Sequence, residues 1–207
     1  MNRWMYSLIQ WVGQKPQDNQ DVIVCLGFFD GVHKGHQKLI QTALQAKAQT
    51  GALVCVHTYD ESPVHIIRAG KADLELTPFK EKVSLLFSLG VDTVAVSHFD
   101  KQMMEMSGDD FLDQVLLKAM RVTHIITGYD HRFGYHGKTG PKELESLCNA
   151  RGIQLSVVPA VTLENGMAVS STAIREAIQR GEIMTASEML GREPDEQMIK
   201  RVTQGDI

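Results

Sequence analysis

One stretch of this 207-residue chain, residues 22–40, constrains the fold most, because an apolar run there meets three glycines and two histidines before helical spacing begins. Residues 22–26 are apolar and largely β-branched, which is typical of a strand buried on both faces of a parallel sheet. Apolar side chains then recur at helical spacing from Leu39 onward. The order predicts strand, turn and helix, with His33 and His36 at or just before the helix N-terminus.

The turn between this strand and helix is suited to an anion. Gly27, Gly31 and Gly35 let the backbone approach a ligand closely. Free backbone N–H groups and the positive end of the helix dipole attract phosphate. His33 and His36 can donate hydrogen bonds where negative charge builds up during displacement at phosphorus. Isolated histidines at a helix start are also common as surface or capping residues, so the hypothesis depends on their position after a buried strand.

The remaining chain alternates strand and helix signals, the pattern of a parallel sheet covered by helices. The predicted strands are residues 53–56, 91–96, 122–127 and 153–158, and the predicted helices are 79–89, 107–119, 142–150 and 170–181. From Thr185 onward we expect one short helix and a polar tail. Because open α/β sheets bind ligands at the carboxyl ends of their strands, the histidine turn, residues 57–63, the glycine-rich loop 128–140 and residues 170–172 are expected to converge.

The last of these segments has two interpretations. Ser170, Ser171 and Thr172 can offer hydroxyls and backbone N–H groups to a polyphosphate, and Arg175 follows about one turn later with a bidentate charge. A Ser-Ser-Thr run before a helix can equally be a simple N-cap, and the basic loop 128–140 can be a solvated turn.

Composition excludes several classes of protein. A net charge of −4 and a pI near 6.0 argue against a general nucleic-acid surface. No stretch reaches the roughly 18 apolar residues of a membrane helix. The N-terminal residues lack the features of a signal peptide, so we expect a cytoplasmic protein.

The cysteines and the remaining histidines carry no metal signature. Three cysteines without a CxxC pair are expected to be buried thiols: Cys25, Cys55 and Cys148. Six histidines have no convincing metal-ligand spacing and are expected to be structural or surface residues: His57, His65, His98, His124, His131 and His136.

Five motifs occur in an order that resembles the bacterial FAD synthetases: GFFDGVHKGHQ (27–37), LTPFKEK (76–82), GYDHRFG (128–134), VSSTAIR (169–175) and LGR (190–192). The similarity is to the adenylyltransferase domain of bifunctional riboflavin kinase/FMN adenylyltransferases and covers about residues 20–192. It implies an α/β, Rossmann-like nucleotidyltransferase fold of the HxGH, HUP type, with a parallel sheet flanked by helices. Residues 1–192 would form this domain and residues 193–207 a C-terminal tail. We expect no riboflavin kinase activity. The chain would then be either a single-function adenylyltransferase or a fragment of a longer protein.

The resemblance implies transfer of AMP from MgATP to FMN, giving FAD and pyrophosphate. The implied catalytic residues are His33, His36, Asp130 and Arg175, with Ser171 and Arg175 holding the triphosphate. The implied ATP and phosphate site further includes Gly27, Phe28, Phe29, Asp30, Gly35, Arg132, Ser170 and Thr172, and the implied flavin site includes Thr58, Tyr59 and Asp60. Magnesium would arrive with ATP rather than occupy a dedicated protein site.

Three positions depart from the family pattern. Phe28 stands where asparagine is usual, Ser62 where histidine is usual, and His131 where phenylalanine is usual. These departures bear mainly on the flavin side. A related nucleotidyltransferase with another phosphorylated acceptor, such as a pantetheine or nicotinamide mononucleotide, therefore stays open, as does a flavin- or nucleotide-binding regulatory protein without turnover. Protein partners, oligomeric state and the order of substrate binding stay open too.

Overall fold

The computed structural model describes residues 8–62 and 75–204, and its strands form one six-stranded sheet. The strands are β1 (Gln10–Gly13), β2 (Asp21–Leu26), β3 (Leu53–Tyr59), β4 (Thr93–Ser97), β5 (Arg121–Gly128) and β6 (Gln154–Val158). Their spatial order is β1-β4-β3-β2-β5-β6. The edge strand β1 pairs antiparallel with β4, whereas the other neighbours pair parallel. The central strands are apolar and buried on both faces, as a helix-covered parallel sheet requires.

Helices pack on both faces of this sheet. They are α1 (Lys34–Thr50), α2 (Phe79–Ser88), α3 (Lys101–Glu105), α4 (Gly108–Asp110), α5 (Pro141–Arg151), α6 (Ser171–Gln179), α7 (Ile183–Leu190) and α8 (Glu196–Gln204), and α4 continues into a π-helical segment, Phe111–Leu117. Leu39 of α1 and Leu86 of α2 are buried against one face. The π-helical segment and Leu144 of α5 cover the other face.

The strand order reverses between β2 and β5. From β2 the chain adds β3 and β4 on one side and then returns to place β5 and β6 on the other. Doubly wound sheets bind their ligands at the carboxyl ends of the strands beside such a switch point. The histidine turn follows β2 and the glycine-rich loop follows β5, so topology alone brings these two segments together.

The last three helices form a small core of their own. Side chains from α6, α7 and α8 pack together with Leu76 and Leu163. Ile174, Met189 and Met198 are almost fully buried in this cluster. The C-terminal residues through Gln204 are therefore part of the folded unit.

The predicted α/β fold with helices flanking a sheet is confirmed, and several local expectations were wrong. The predicted loop 57–63 begins as strand, because β3 runs to Tyr59. The polar residues at its start predict a loop, but in the structure they are buried and have hydrogen-bond partners. His57 Nε2 lies 2.9 Å from Ser97 Oγ, and the Thr58 hydroxyl donates to the Phe28 carbonyl. Pro63 and His65 lie outside the described residues.

Three elements were not predicted. The edge strand β1 is short and pairs antiparallel, so the sheet is mostly rather than wholly parallel. Helix α3 has five residues, and its cap at Asp100 was overlooked. The expected polar tail contains α8, because Met198 and Val202 are one helical turn apart and bury on α6.

The three cysteines are free and buried, as expected. None of the helices in the described ranges has the length and apolarity that crossing a bilayer requires.

Candidate active site

A cleft of about 220 Å³ opens at the switch point of the sheet. It is lined by Leu26, Gly27, Phe28, His33, Gly35, His36 and Leu39 after β2, by residues 128–131 after β5, and by residues 158–161 and 169–171. Three of the four segments expected to converge therefore meet here, namely the histidine turn, the glycine-rich loop and the Ser-Ser-Thr run. The fourth, residues 57–63, contributes Tyr59 at the end of β3 to a neighbouring cavity.

His33 and His36 form the floor of the cleft. His33 is the N-cap of α1, and its Nδ1 accepts a hydrogen bond from the backbone N–H of His36 at 3.4 Å. The two rings stack with their centroids 3.7 Å apart. Gly35 permits this packing, since a Cβ there would lie 3.0 Å from the His33 ring. The arrangement places two imidazoles and the first free N–H groups of α1 on the same cleft.

Both imidazoles are held in the neutral form. Burial lowers the pKa of His33 to about 4, and the charges of Arg175 and Arg192 act in the same direction. Burial also lowers the pKa of His36, as does the neighbouring His33. The Nδ1 atom of His36 is buried without a hydrogen-bond partner among the described residues. A buried polar atom of this kind indicates a place for a ligand or a water.

The turn before His33 has an unusual backbone. Phe29, Gly31 and Val32 have φ values of 60°, 79° and 42°. Gly31 is required, because a Cβ there would lie 2.8 Å from Leu76 Cδ1. Val32 is β-branched, and the left-handed conformation strains such a residue by about 1–3 kcal/mol. Strain of this kind persists only when surrounding contacts hold it.

Asp30 connects this turn to two other segments of the chain. Its carboxylate is buried, and Oδ2 lies 2.5 Å from Nη2 of Arg175 while Oδ1 accepts from the Thr77 backbone N–H. Burial raises the pKa of Asp30, an effect that the Arg175 guanidinium opposes. The Ser171 hydroxyl donates to the Asp30 carbonyl at 2.9 Å. Helix α6 is thereby tied to the histidine turn.

Only some of the residues that were expected to hold the triphosphate line the cleft. Ser170 and Ser171 line it, whereas Thr172 and Arg175 are not among its lining residues. The Ser170 hydroxyl also caps α6 by accepting from the Ala173 N–H at 3.1 Å. The capping interpretation is thus correct for Ser170, and it coexists with a position on the cleft. Phe29 is fully buried beneath the site, and its ring centroid lies 4.9 Å from that of His36.

Asp130 and Arg132 both follow β5, but they line different cavities. Asp130 is exposed on the cleft. Arg132 lines the neighbouring cavity, where its Nη1 donates to the Gly137 carbonyl at 3.4 Å. No cluster of three or more His, Cys, Asp or Glu side chains able to hold a metal occurs in residues 8–62 and 75–204.

The second cavity is larger and mainly apolar. It measures about 610 Å³ and is lined by Tyr59, Phe99, Met103, Met104, Glu105, Met106, Phe111 and residues 131–137. Tyr59 and Phe99 meet edge to face with their centroids 5.1 Å apart, and Phe111 contacts Phe133 at 5.2 Å. Flexible methionines and aromatic rings are suited to a flat, polarisable ligand.

His131 borders both cavities. Its ring stacks on Phe133 with the centroids 5.7 Å apart, and burial lowers its pKa to about 4. The cleft at the switch point and the second, aromatic cavity therefore share one neutral imidazole as a common wall.

The three expected flavin residues have different surroundings. Tyr59 lines the aromatic cavity. Thr58 is fully buried and its hydroxyl donates to the Phe28 carbonyl. Asp60 is partly exposed, and its Oδ2 lies 2.8 Å from Nδ1 of His98.

Lys82 is a residue of the site that sequence reasoning missed. Its side chain is 1% exposed, and Nζ donates to the carbonyls of Phe28 and Tyr59 at 3.1 and 3.3 Å. The ammonium lies 3.9 Å from the centroid of the Phe28 ring, and burial lowers the pKa of Lys82 to about 8. A lysine on the apolar face of α2, one turn from Leu86, was the available signal. Phe99, Met103, Phe111 and Phe133 were also missed as cavity residues.

Comparisons with known proteins identify the family of the chain. The family model described as FAD synthetase matches residues 15–173. The chain is 35% identical over 170 residues to the bifunctional riboflavin kinase/FMN adenylyltransferase of Listeria monocytogenes, a match covering 82% of this chain and 53% of that protein. It is 32% identical over 175 residues to the Bacillus subtilis protein of the same description, covering 82% and 53%. The chain thus spans about half the length of the curated relatives it matches.

A solved structure shows a similar fold. The crystal structure described as a macrolide-efflux protein from Streptococcus pneumoniae superimposes with a TM-score of 0.74 at 30% identity. The match covers 85% of this chain and 57% of that chain.

Proposed function

This chain belongs to the FAD synthetase family, and we propose that it transfers the AMP part of MgATP to FMN, giving FAD and pyrophosphate. The observation that carries the proposal is the pair of cavities that meet at His131, one lined by His33, His36 and two serines and the other by aromatic and methionine side chains. An acceptor with a phosphate joined to a flat apolar ring matches this pairing.

The reaction needs alignment more than an activated side chain. An oxygen of the FMN phosphate attacks the α-phosphorus of ATP, a new P–O bond forms, and the bond from that phosphorus to the oxygen bridging the α- and β-phosphates breaks. Pyrophosphate leaves with the electron pair of that bond. The nucleophile is already anionic, so catalysis depends on holding it in line and on neutralising charge around the α-phosphate.

In this proposal, His33 and His36 are the groups best placed to stabilise the negative charge around the α-phosphate. Each neutral imidazole can donate one N–H to a phosphate oxygen, and the N-terminus of α1 adds backbone N–H groups. The negative charge of a bound polyphosphate would oppose the effect of burial and raise the pKa of both residues, because it favours the imidazolium form. In this proposal Ser170 and Ser171 support the outer phosphates from the start of α6.

Asp130 is the carboxylate that borders the phosphate cleft. Magnesium bound to ATP phosphates keeps several waters and is usually held by one or two protein carboxylates. We infer that Asp130 contacts the magnesium or its waters when MgATP binds.

The aromatic cavity supports a flavin ring as the acceptor group. Its volume of about 610 Å³ lies in the range of sites for drug-sized ligands. Tyr59, Phe99 and Phe111 present ring faces and edges to it. A linear acceptor such as a pantetheine would make little use of these rings.

The test is to incubate the purified chain with MgATP and FMN, and in parallel with MgATP and riboflavin, followed by separation of the flavins and a pyrophosphate assay. FAD and pyrophosphate in equal amounts are expected from FMN. Riboflavin has no phosphate and is not expected to give FAD directly. A folded, ATP-binding protein that leaves FMN unchanged would contradict the proposal, and a panel of other phosphorylated acceptors would then separate a different transferase from a regulatory binding protein.

A further inference from the structure

The LGR motif, residues 190–192, contacts the strained turn before His33 through Arg192 and contacts Gln37 of α1 through Leu190 and Gly191. Arg192 Nη1 donates to the Gly31 carbonyl at 2.8 Å. The Leu190 carbonyl accepts from Gln37 Nε2 at 2.9 Å, and the same nitrogen donates to the Val32 carbonyl at 3.0 Å. Gly191 lies beside Gln37, since a Cβ at Gly191 would be 3.3 Å from Gln37 Oε1. The end of α7 is therefore bound to the turn through Arg192 and Gln37.

Side chains from separate segments donate hydrogen bonds to several carbonyl groups in and next to this turn. The Phe28 carbonyl accepts from Thr58 and Lys82. The carbonyl of Asp30 accepts from Ser171 and that of Gly31 from Arg192. Left-handed backbone is costly at the non-glycine residues Phe29 and Val32, so these donors stabilise a conformation that the turn does not favour alone.

Arg192 is separated from its acceptor by more of the chain than any other donor named above. It lies 161 positions from Gly31 and belongs to the C-terminal helical unit, outside the phosphate cleft. Its positive charge is among the causes that lower the pKa of His33, after burial and the charge of Arg175. Only Val32 separates Gly31 from His33, and the ring of His33 is stacked on that of His36.

We propose that Arg192 is a positioning residue for adenylyl transfer, which acts by holding the Gly31 carbonyl and with it the turn that orients His33 and His36. The kinetic part of this proposal rests on the proposed function. Arg192 does not touch the reacting atoms in this account, and its effect reaches them through the backbone.

The kinetic test compares Arg192→Gln, Arg192→Lys and Met198→Val with the unchanged protein. Misplacement of a catalytic group by about 1 Å can cost about 100-fold in rate, so Arg192→Gln is expected to lower kcat by about 10- to 100-fold with a change below about threefold in the KM for ATP. Arg192→Lys keeps a cationic donor and is expected to recover part of the loss. Met198 is buried in the same helical core but is not part of the turn, so its variant controls for lost stability.

A second readout does not need turnover. The imidazole resonances of His33 and His36 in NMR spectra are expected to shift in Arg192→Gln, while those of the distant His98 and His124 stay in place. Unchanged His33 and His36 resonances would overturn the proposal, as would an equal loss of kcat in Met198→Val at the same thermal midpoint. If Arg192→Gln does not fold, Arg192→Lys is judged by the same criteria. If the unchanged protein does not convert FMN, the proposed function fails, and the NMR comparison alone decides the role of Arg192.

Discussion

The carboxylate of Asp30 and the guanidinium of Arg175 form an ion pair with 2.5 Å between Oδ2 and Nη2, although the residues are 145 positions apart. The Asp30 side chain is 3% exposed and that of Arg175 is 17% exposed. Removing one partner of a buried pair leaves an uncompensated charge, which costs about 3–5 kcal/mol. Arg175 therefore has a structural role beneath the histidine turn in addition to the proposed role toward ATP.

Arg175→Gln should separate these two roles when it is combined with Asp30→Asn. We expect Arg175→Gln alone to lower the free energy of unfolding by about 3 kcal/mol, because Asp30 loses its counter-charge. The double variant should recover much of this stability, since two amides can bond to each other. Urea unfolding measures the stability, and steady-state kinetics measure the KM for ATP.

The KM for ATP should stay raised by about tenfold in the double variant if Arg175 also contacts the triphosphate. A double variant with both stability and ATP use restored would confine Arg175 to its structural role.

His36→Ala should reduce turnover far more than it reduces FMN binding. The proposed hydrogen bond from His36 strengthens as charge develops on the phosphate, so kcat should fall by about 100- to 1,000-fold. FMN affinity, followed by quenching of flavin fluorescence, should change by less than about twofold, because the His36 ring faces the phosphate cleft and not the aromatic cavity. A selective loss of FMN affinity with normal turnover would contradict this assignment.

Tyr59→Leu should weaken flavin binding without affecting ATP. Loss of an aromatic stacking surface costs about 1–1.5 kcal/mol, which corresponds to an approximately tenfold higher Kd for FMN. Phe87→Leu is the matched control, because Phe87 packs on the opposite face of the sheet, away from the cavity. Equal FMN affinity in Tyr59→Leu and the unchanged protein would show that the ring does not contact the flavin.

Asp130→Asn should raise the magnesium concentration needed for half-maximal activity by about tenfold, since an amide is a weaker ligand than a carboxylate for a hard cation. Asp18→Asn, at an exposed position outside the cleft, controls for the loss of one negative charge. An unchanged magnesium requirement would remove Asp130 from the proposed metal contact.

Local pattern was enough to predict the centre of this fold. Residues 22–26 are apolar without interruption, and α1 after them has apolar spacing and ends at Gly51, whose φ of 72° is a left-handed C-cap. These signals need only neighbouring residues, because strand burial and helix spacing are encoded within one segment. The positions of His33 and His36 at the start of α1 follow from the same reasoning.

Polar residues buried by distant partners could not be predicted in this way. His57 has its partner at Ser97, and Lys82 is held by the carbonyls of Phe28 and Tyr59. The polar residues 57–59 look exposed when only their own segment is considered, and the segment of Lys82 places it on an apolar helix face without showing which groups satisfy its charge. The aromatic cavity was missed for the same reason, since its walls come from β3, α3, the π-helical segment and the loop after β5.

The buried histidines predict how stability depends on pH. Burial lowers the pKa of His33 to about 4, that of His57 to about 3 and that of His131 to about 4, from an ordinary value of 6.5. Below 6.5 the unfolded chain binds protons that the folded protein does not, so the free energy of unfolding should fall as pH drops from about 6.5 toward 4. These groups add no pH dependence above that window, because they are neutral in both states.

Urea unfolding at a series of pH values measures this loss. Each histidine that is protonated in the unfolded chain and neutral in the folded protein changes the free energy of unfolding by up to about 1.4 kcal/mol per pH unit within the window. His131→Phe should flatten the slope by removing one titrating group while keeping a ring that can stack on Phe133. Equal stability of the unchanged protein at about pH 7 and about pH 5 would contradict burial of the neutral imidazoles, because it would mean that the folded protein takes up as many protons as the unfolded chain.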